Sequence, residues 1–145
     1  MGAIPFTDRE LRRAWRELSS IASSMADDAC KNPHRLLLLY AVECGLKAVW
    51  LKRQGRSLFD RMDIDNTGHD LRQLLKALQA GSGFSLPAHL ELRPVTHNQA
   101  RLSRHGDISI LHQVWRYGGE CIVPTDAQCE HQLRQVLRWI QGELR

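Results

Sequence analysis

The sequence lacks most of the features that would place it outside the ordinary globular class. Its longest uninterrupted apolar run, Leu36 to Val42, has seven residues, against the roughly 20 that a membrane-spanning helix takes. No charged-then-apolar leader opens the chain. Phe6 stands where a myristoylation signal needs Ser or Thr. A cytoplasmic protein that makes no use of the membrane is therefore expected. The four cysteines, Cys30, Cys44, Cys121 and Cys129, show no C-x-x-C spacing. A disulfide framework is not expected in a domain this large and this apolar. Cys121, Cys129 and His131 fall near one another in the chain, but the 121–129 separation matches no structural zinc pattern. Neither a metal nor a cofactor is expected. There is no internal repeat and no low-complexity tract, and no segment alternates convincingly with period two.

What remains is an ordinary globular composition, 43% hydrophobic and 25% charged over 145 residues. It fits a single domain spanning residues 1–145 that can bury a core of its own. The net charge of +4 is mild. It permits an acidic partner such as RNA without requiring one, and a solvated basic surface explains it equally well.

The apolar pattern has the period of helices. Thr7 and Glu10 form a capping box ahead of a stripe of Leu11, Ala14, Trp15, Leu18, Ala22, Met25 and Ala29, which predicts a first helix over 7–29. Asn32-Pro33 ends it and opens a second helix, which runs over 33–53 until Gly55 closes it. Residues 55–68 read as a polar loop. Within it, Asp63-Ile-Asp65-Asn-Thr67-Gly68 starts like a calcium loop but reaches Leu74 where that loop needs a bidentate Glu, so calcium is rejected. A third helix begins near His69-Asp70 and ends at 81–83. A fourth covers 97–116, interrupted at Gly106-Asp107, with Asp107 capping a second half in which Ile108, Leu111, Val114 and Trp115 share a face. A last helix opens with the capping box of Thr125 and Gln128. Five amphipathic helices with short connections predict an all-α, up-and-down bundle of four to five helices. The tryptophans at 15, 50, 115 and 139 fall on or beside apolar stripes and read as core or interface.

The helix over 33–53 is apolar on nearly every side, which places it at the centre of the bundle or against a partner subunit. Glu43 and Lys47 interrupt that surface at a spacing of four, in the favourable order for pairing. The pair is read first as architecture, a strut inside the bundle or at a dimer rim. The alternative is a polar cleft that contacts a ligand or an RNA phosphate.

Ala41-Val-Glu43-Cys-Gly-Leu46-Lys47-Ala48, followed by Gly68-His69-Asp70-Leu71-x-x-Leu74-Leu75, resembles the HEPN superfamily of prokaryotic helical domains. These typically pair a Glu-x-x-Leu-Lys-Ala helix with a His-Asp-Leu helix start. Trp115-Arg116-Tyr117-Gly118 resembles the Arg-Tyr turn many small members carry. The resemblance spans roughly residues 8–140. It implies a HEPN-like bundle that forms a homodimer and works in phage defence, toxin–antitoxin or CRISPR-associated systems. Many members are metal-independent ribonucleases, and others bind nucleotides, RNA or a partner protein without catalysis.

Catalytic members carry an Arg followed by a His after four to six intervening residues. The imidazole exchanges a proton with the 2′-hydroxyl or leaving oxygen, and the guanidinium holds the phosphate. Here Arg93–His97 and Arg101–His105 have three intervening residues and Arg104–His112 has seven. Arg101, Arg104, His105 and His112 are thus candidate catalytic residues at irregular spacing, against a solvated or RNA-contacting basic stretch. Lys47, His69, Arg116 and Tyr117 are candidate RNA- or ligand-binding residues. His69-Asp70 reads first as helix-start chemistry, and Arg116-Tyr117 first as packing and hydrogen bonding at a helix end. The leading expectation is a dimeric HEPN-like binding module that contacts RNA or nucleotide and a partner protein. Metal-independent endoribonuclease is second, and a purely structural subunit third.

Overall fold

A computed structural model of the protein describes residues 4–24, 30–68, 70–81, 83–84 and 86–145. Strand β1 (Phe6–Thr7) leads into helix α1 (Asp8–Ala22). The Thr7 hydroxyl oxygen accepts from the Glu10 amide at 3.1 Å, and Glu10 Oε1 accepts from the Thr7 amide at 3.0 Å. This is the capping box the sequence predicts. Met25 and Ala29, which extend the predicted stripe, lie outside the described residues, as do His69 and Ser82.

Helix α2 (Asn32–Gln54) is the axis of the fold. Gly55 closes it in the left-handed conformation, φ 64°, which costs a residue without Cβ nothing. Nine of its residues, from Leu38 to Leu51, are buried, and α1 packs along it. So does α6 (Asp126–Glu143), whose own start repeats the capping logic with Thr125 and Gln128. At Gly45 side chains of α1 and α6 press directly on the α2 backbone. A Cβ there would lie 2.7 Å from Ile140 Cγ2 and 2.9 Å from Trp15 Cδ1.

The all-helical expectation fails in two places. Residues 55–68 form strand β2 (Leu58–Phe59), antiparallel to β1, and helix α3 (Arg61–Thr67). Asp63, buried completely, explains why a stretch that reads as loop is ordered. Its Oδ1 accepts from Trp50 Nε1 at 3.1 Å and Arg56 Nη1 at 2.7 Å, and its Oδ2 from the Asp60 amide at 2.8 Å. Helix α4 (Leu71–Ala77) then starts at Asp70, whose carboxylate accepts from the Gln73 amide at 2.8 Å. Asp70 is thus the cap of this helix.

The second failure is larger. The predicted fourth helix over 97–116 is, in its first half, a β-ribbon. Strands β3 (Leu90–His97) and β4 (Ala100–Gly106) pair antiparallel through a two-residue turn at Asn98-Gln99. Both turn residues hold positive φ, 50° and 63°, the conformation that matches the twist of a hairpin. Strand β5 (Cys121–Val123) adds to the other edge of β3, giving the order β4-β3-β5. The fold is therefore mixed, with six α-helices and two antiparallel sheets among the described residues, and not an up-and-down bundle of four to five helices. The second half of the predicted segment is helical as expected. Asp107 caps a 3-10 turn (Ile108–Ile110) that continues as α5 (Leu111–Arg116), burying Ile108, Leu111, Val114 and Trp115.

One polar cluster fixes the angle of α5. Asp126 Oδ1, at the start of α6, accepts from Trp115 Nε1 at 2.9 Å and from the Cys121 amide at 3.1 Å. Beside it the buried Glu130 is held between Arg35 and Arg134, each at 3.2 Å. A carboxylate this deep is tolerable only with its lone pairs satisfied. No helix among the described residues is long and apolar enough to cross a membrane.

Candidate functional site

One face of α2 is left uncovered by α1 and α6, and α3, α4 and α5 wall it into a cleft of about 360 Å³. The floor is apolar, with Leu39, Phe59, Ile64, Leu71, Leu74 and Ile108. Polar groups converge at the rim. Tyr40, Glu43 and Lys47 come from α2 at spacings that put them on one face, and His112 and Arg116, four apart, from α5. Ser109 and Asp70 complete it.

The Glu43–Lys47 pair is therefore not an internal strut. Lys47 Nζ donates to Glu43 Oε1 at 3.1 Å and sits 5.3 Å from the centre of the Phe59 ring. The two side chains keep 30% and 43% of their exposure, so the ion pair is wet, weak and available to a ligand. Arg116 donates to the Tyr40 hydroxyl at 3.1 Å across the cleft mouth. That hydrogen bond pushes the guanidinium pKa further up. The lining thus combines two fixed cations, two carboxylates, an imidazole and a hydrophobic floor.

Of the candidate catalytic residues, only His112 lines this cleft. Arg101, Arg104 and His105 stand exposed on β4. On a strand, residues 101 and 105 still share a face, but they stand about 13 Å apart along the chain instead of one helical turn. Arg104 Nε is committed to the Arg93 carbonyl at 2.9 Å. Arg104 and His105 border a second depression, with Leu92, Val114 and Tyr117. Of the candidate binding residues, Lys47 and Arg116 line the main cleft, Tyr117 lies outside it, and His69 is not described. Tyr40 and Ser109 have no place among the sequence candidates. The available signals were the Tyr40–Glu43–Lys47 spacing and the His112–Arg116 spacing, whose order is the reverse of Arg-then-His.

No group of three or more His, Cys, Asp or Glu among the described residues could hold a metal ion. Cys121 and Cys129 are buried. The Cys121 thiol, hydrogen-bonded to Cys129 and desolvated, is pushed far up, and the same bond holds Cys129 below the ordinary thiol range. His131 is exposed. Comparison of the chain with protein-family models, curated proteins and solved structures returns no significant match.

Proposed function

We propose that the cleft between α2, α4 and α5 binds a nucleotide or the end of an RNA chain. The observation that carries this reading is the convergence of Lys47, His112 and Arg116 over an apolar floor. An apolar concavity with a few convergent polar groups is the usual form of a small-ligand site. The mixture of charges narrows the class. A bare anion would be repelled by Glu43 and Asp70, and a bare cation by Lys47 and Arg116. A nucleotide suits both, because its phosphate takes the cations, its base lies on the floor, and its hydroxyl or exocyclic N–H groups reach a carboxylate. Calorimetric titration of AMP and UMP tests this. Binding weakened about tenfold by Lys47→Ala is expected from the loss of one charge-assisted hydrogen bond. The absence of any binding would overturn it.

Metal-independent RNA cleavage is the second reading, favoured by His112 standing one turn from Arg116 in the same cleft. It moves the acid–base group from 101–105 to His112. RNA incubated with the protein in EDTA would be cleaved by the wild type and left intact by His112→Ala.

The three HEPN-like motifs contribute Glu43 and Lys47, Asp70 and Leu71, and Arg116 to this one cleft. That convergence supports kinship with the non-catalytic binders of the superfamily, although the β-ribbon departs from an all-helical pattern. Kinship would bring with it a homodimer and a partner protein from a defence or toxin–antitoxin system. A mass of 16.6 kDa in solution at micromolar concentration would remove the dimer.

A further inference from the structure

Arg116 stands at the edge of the main cleft. The next residue, Tyr117, is 75% exposed, and the Arg116 guanidinium lies 5.9 Å from its ring centre. Tyr117 is also one wall of the second depression, about 440 Å³, between α5 and the ribbon. The Arg116–Tyr117 step is thus a ridge shared by two hollows, with an open aromatic face on it. The ribbon beyond has a distinct charge. Its residues 90–106 carry three arginines and two histidines against one carboxylate, Glu91, which stands opposite His105 at the end away from the turn, and the five basic side chains are exposed.

We infer that the two hollows form one track for a single-stranded phosphodiester chain several nucleotides long. One nucleotide would enter the main cleft, a neighbouring base would stack on Tyr117, and the backbone would continue past Arg104, which shares the Leu92 face of the ribbon. This deepens the nucleotide reading of the cleft and rests on it. Aromatic faces flanked by basic side chains are how such chains are held without regard to sequence. Each hollow is of the size of a small-ligand pocket, too confined for a duplex. A second copy of this chain adding to the free edge of β4 is disfavoured by the same charges. Antiparallel pairing centred on Ser103 would set Arg101 opposite His105, with no carboxylate on β4 to offset the arginine's charge.

The test is the dependence of affinity on length, read by fluorescence anisotropy competition at low salt. The probes are UMP, oligouridylates of four and eight nucleotides, the deoxythymidine octamer, and an RNA duplex of eight base pairs. The octamer is expected to bind at least tenfold more tightly than UMP. Tyr117→Ala should cut the octamer-to-UMP affinity ratio about tenfold, the loss of roughly one stacked base. Arg104→Ala should lower the slope of log affinity against log salt by about 0.7, for the one phosphate left without its cation, whereas Arg101→Ala, on the other face of β4, should leave it nearly unchanged. The ribo- and deoxy-octamers show whether the 2′-hydroxyl is read, and preference for either is consistent with the track. An octamer no tighter than UMP overturns the track but keeps the cleft. Octamer binding that needs Tyr117 and Arg104 but not Lys47 keeps the ribbon hollow and overturns the cleft. Binding of neither probe overturns both. A duplex that binds as tightly as the strand, or ribbon variants that change only the oligomeric state, overturns the track. Thermal melting of each variant separates these outcomes from misfolding.

Discussion

Arg116, the last residue of α5, donates to the hydroxyl of Tyr40 on α2 at 3.1 Å, and so ties together two elements that are 76 residues apart in the chain. The bond holds the guanidinium at the mouth of the cleft instead of letting it sample solvent. Tyr40→Phe keeps the ring and removes only the acceptor. Nucleotide affinity should fall about threefold, the size of one modest hydrogen bond, as Arg116 becomes mobile. Arg116→Ala should fall further. Equal effects of the two variants, or none, would remove the positioning role of Tyr40.

Lys47 is expected to bind through charge more than through shape. Lys47→Ala should weaken nucleotide binding about tenfold, while Lys47→Arg retains most of it. The salt dependence of binding should drop only in the alanine variant. The measurement is titration at two ionic strengths.

Asp63 holds α3, and so the Ile64 and Thr67 edge of the cleft, through Trp50, Arg56 and the Asp60 amide. Asp63→Ala strips a half-buried indole N–H and a half-buried guanidinium of their shared acceptor. Loss of one partner from a buried ionic cluster costs about 3 kcal/mol, which urea unfolding reads directly. A loss under about 0.5 kcal/mol, the level of an ordinary surface change, would mean that water replaces the carboxylate and that α3 stands without it.

Gly45 permits the contact of α1, α2 and α6. Gly45→Ala forces its new methyl into Ile140 and Trp15, an overpacking that costs about 1–3 kcal/mol. For a chain of this length that corresponds to a fall in Tm of roughly 5 °C. Ile140→Val in the same chain should return only a small part of the loss, because it removes Cδ1, 3.0 Å from the new methyl, and leaves Cγ2 at 2.7 Å. Additive losses in the double variant would contradict the assigned contact.

Cys44, on the same helix, gives a pH prediction with a definite sign. Burial pushes its thiol up to about 11. The thiolate is the reactive form, so at pH 8 this cysteine should be almost inert to a disulfide reagent. Its labelling should accelerate only as the pH approaches 11. Rapid labelling of Cys44 at pH 8, located by mass spectrometry, would contradict its environment.

What was legible in the sequence was local. Thr7 with Glu10, Thr125 with Gln128, and Gly55 each act within one helical turn, so the residues that end a helix stand beside the residues they cap. The central helix was legible because Leu36 to Val42 leaves no polar side. The ribbon was not. Leu90-Glu-Leu92 begins an alternation, but the register shifts between Leu92 and Val95, where Arg93 and Pro94 intervene, and the phase is lost. Strand β4 is exposed throughout all but its last residue, so it has no apolar face to betray it. Its turn uses Asn98 and Gln99 at positive φ instead of a glycine. Of the site, each of Glu43, Lys47, His112 and Arg116 was visible as a chemical type. Their meeting depends on α5 swinging back onto α2, which Asp126 secures through Trp115 and the Cys121 amide. No spacing in the chain records that.

The most direct measurement is amide shift mapping by NMR of the labelled protein titrated with UMP. The expected result is a single cluster of shifted resonances at Tyr40–Lys47, Phe59 and Ser109–Arg116, absent in Lys47→Ala. Shifts confined to another surface, or no shifts at millimolar UMP, would contradict the assignment of this cleft as a nucleotide site.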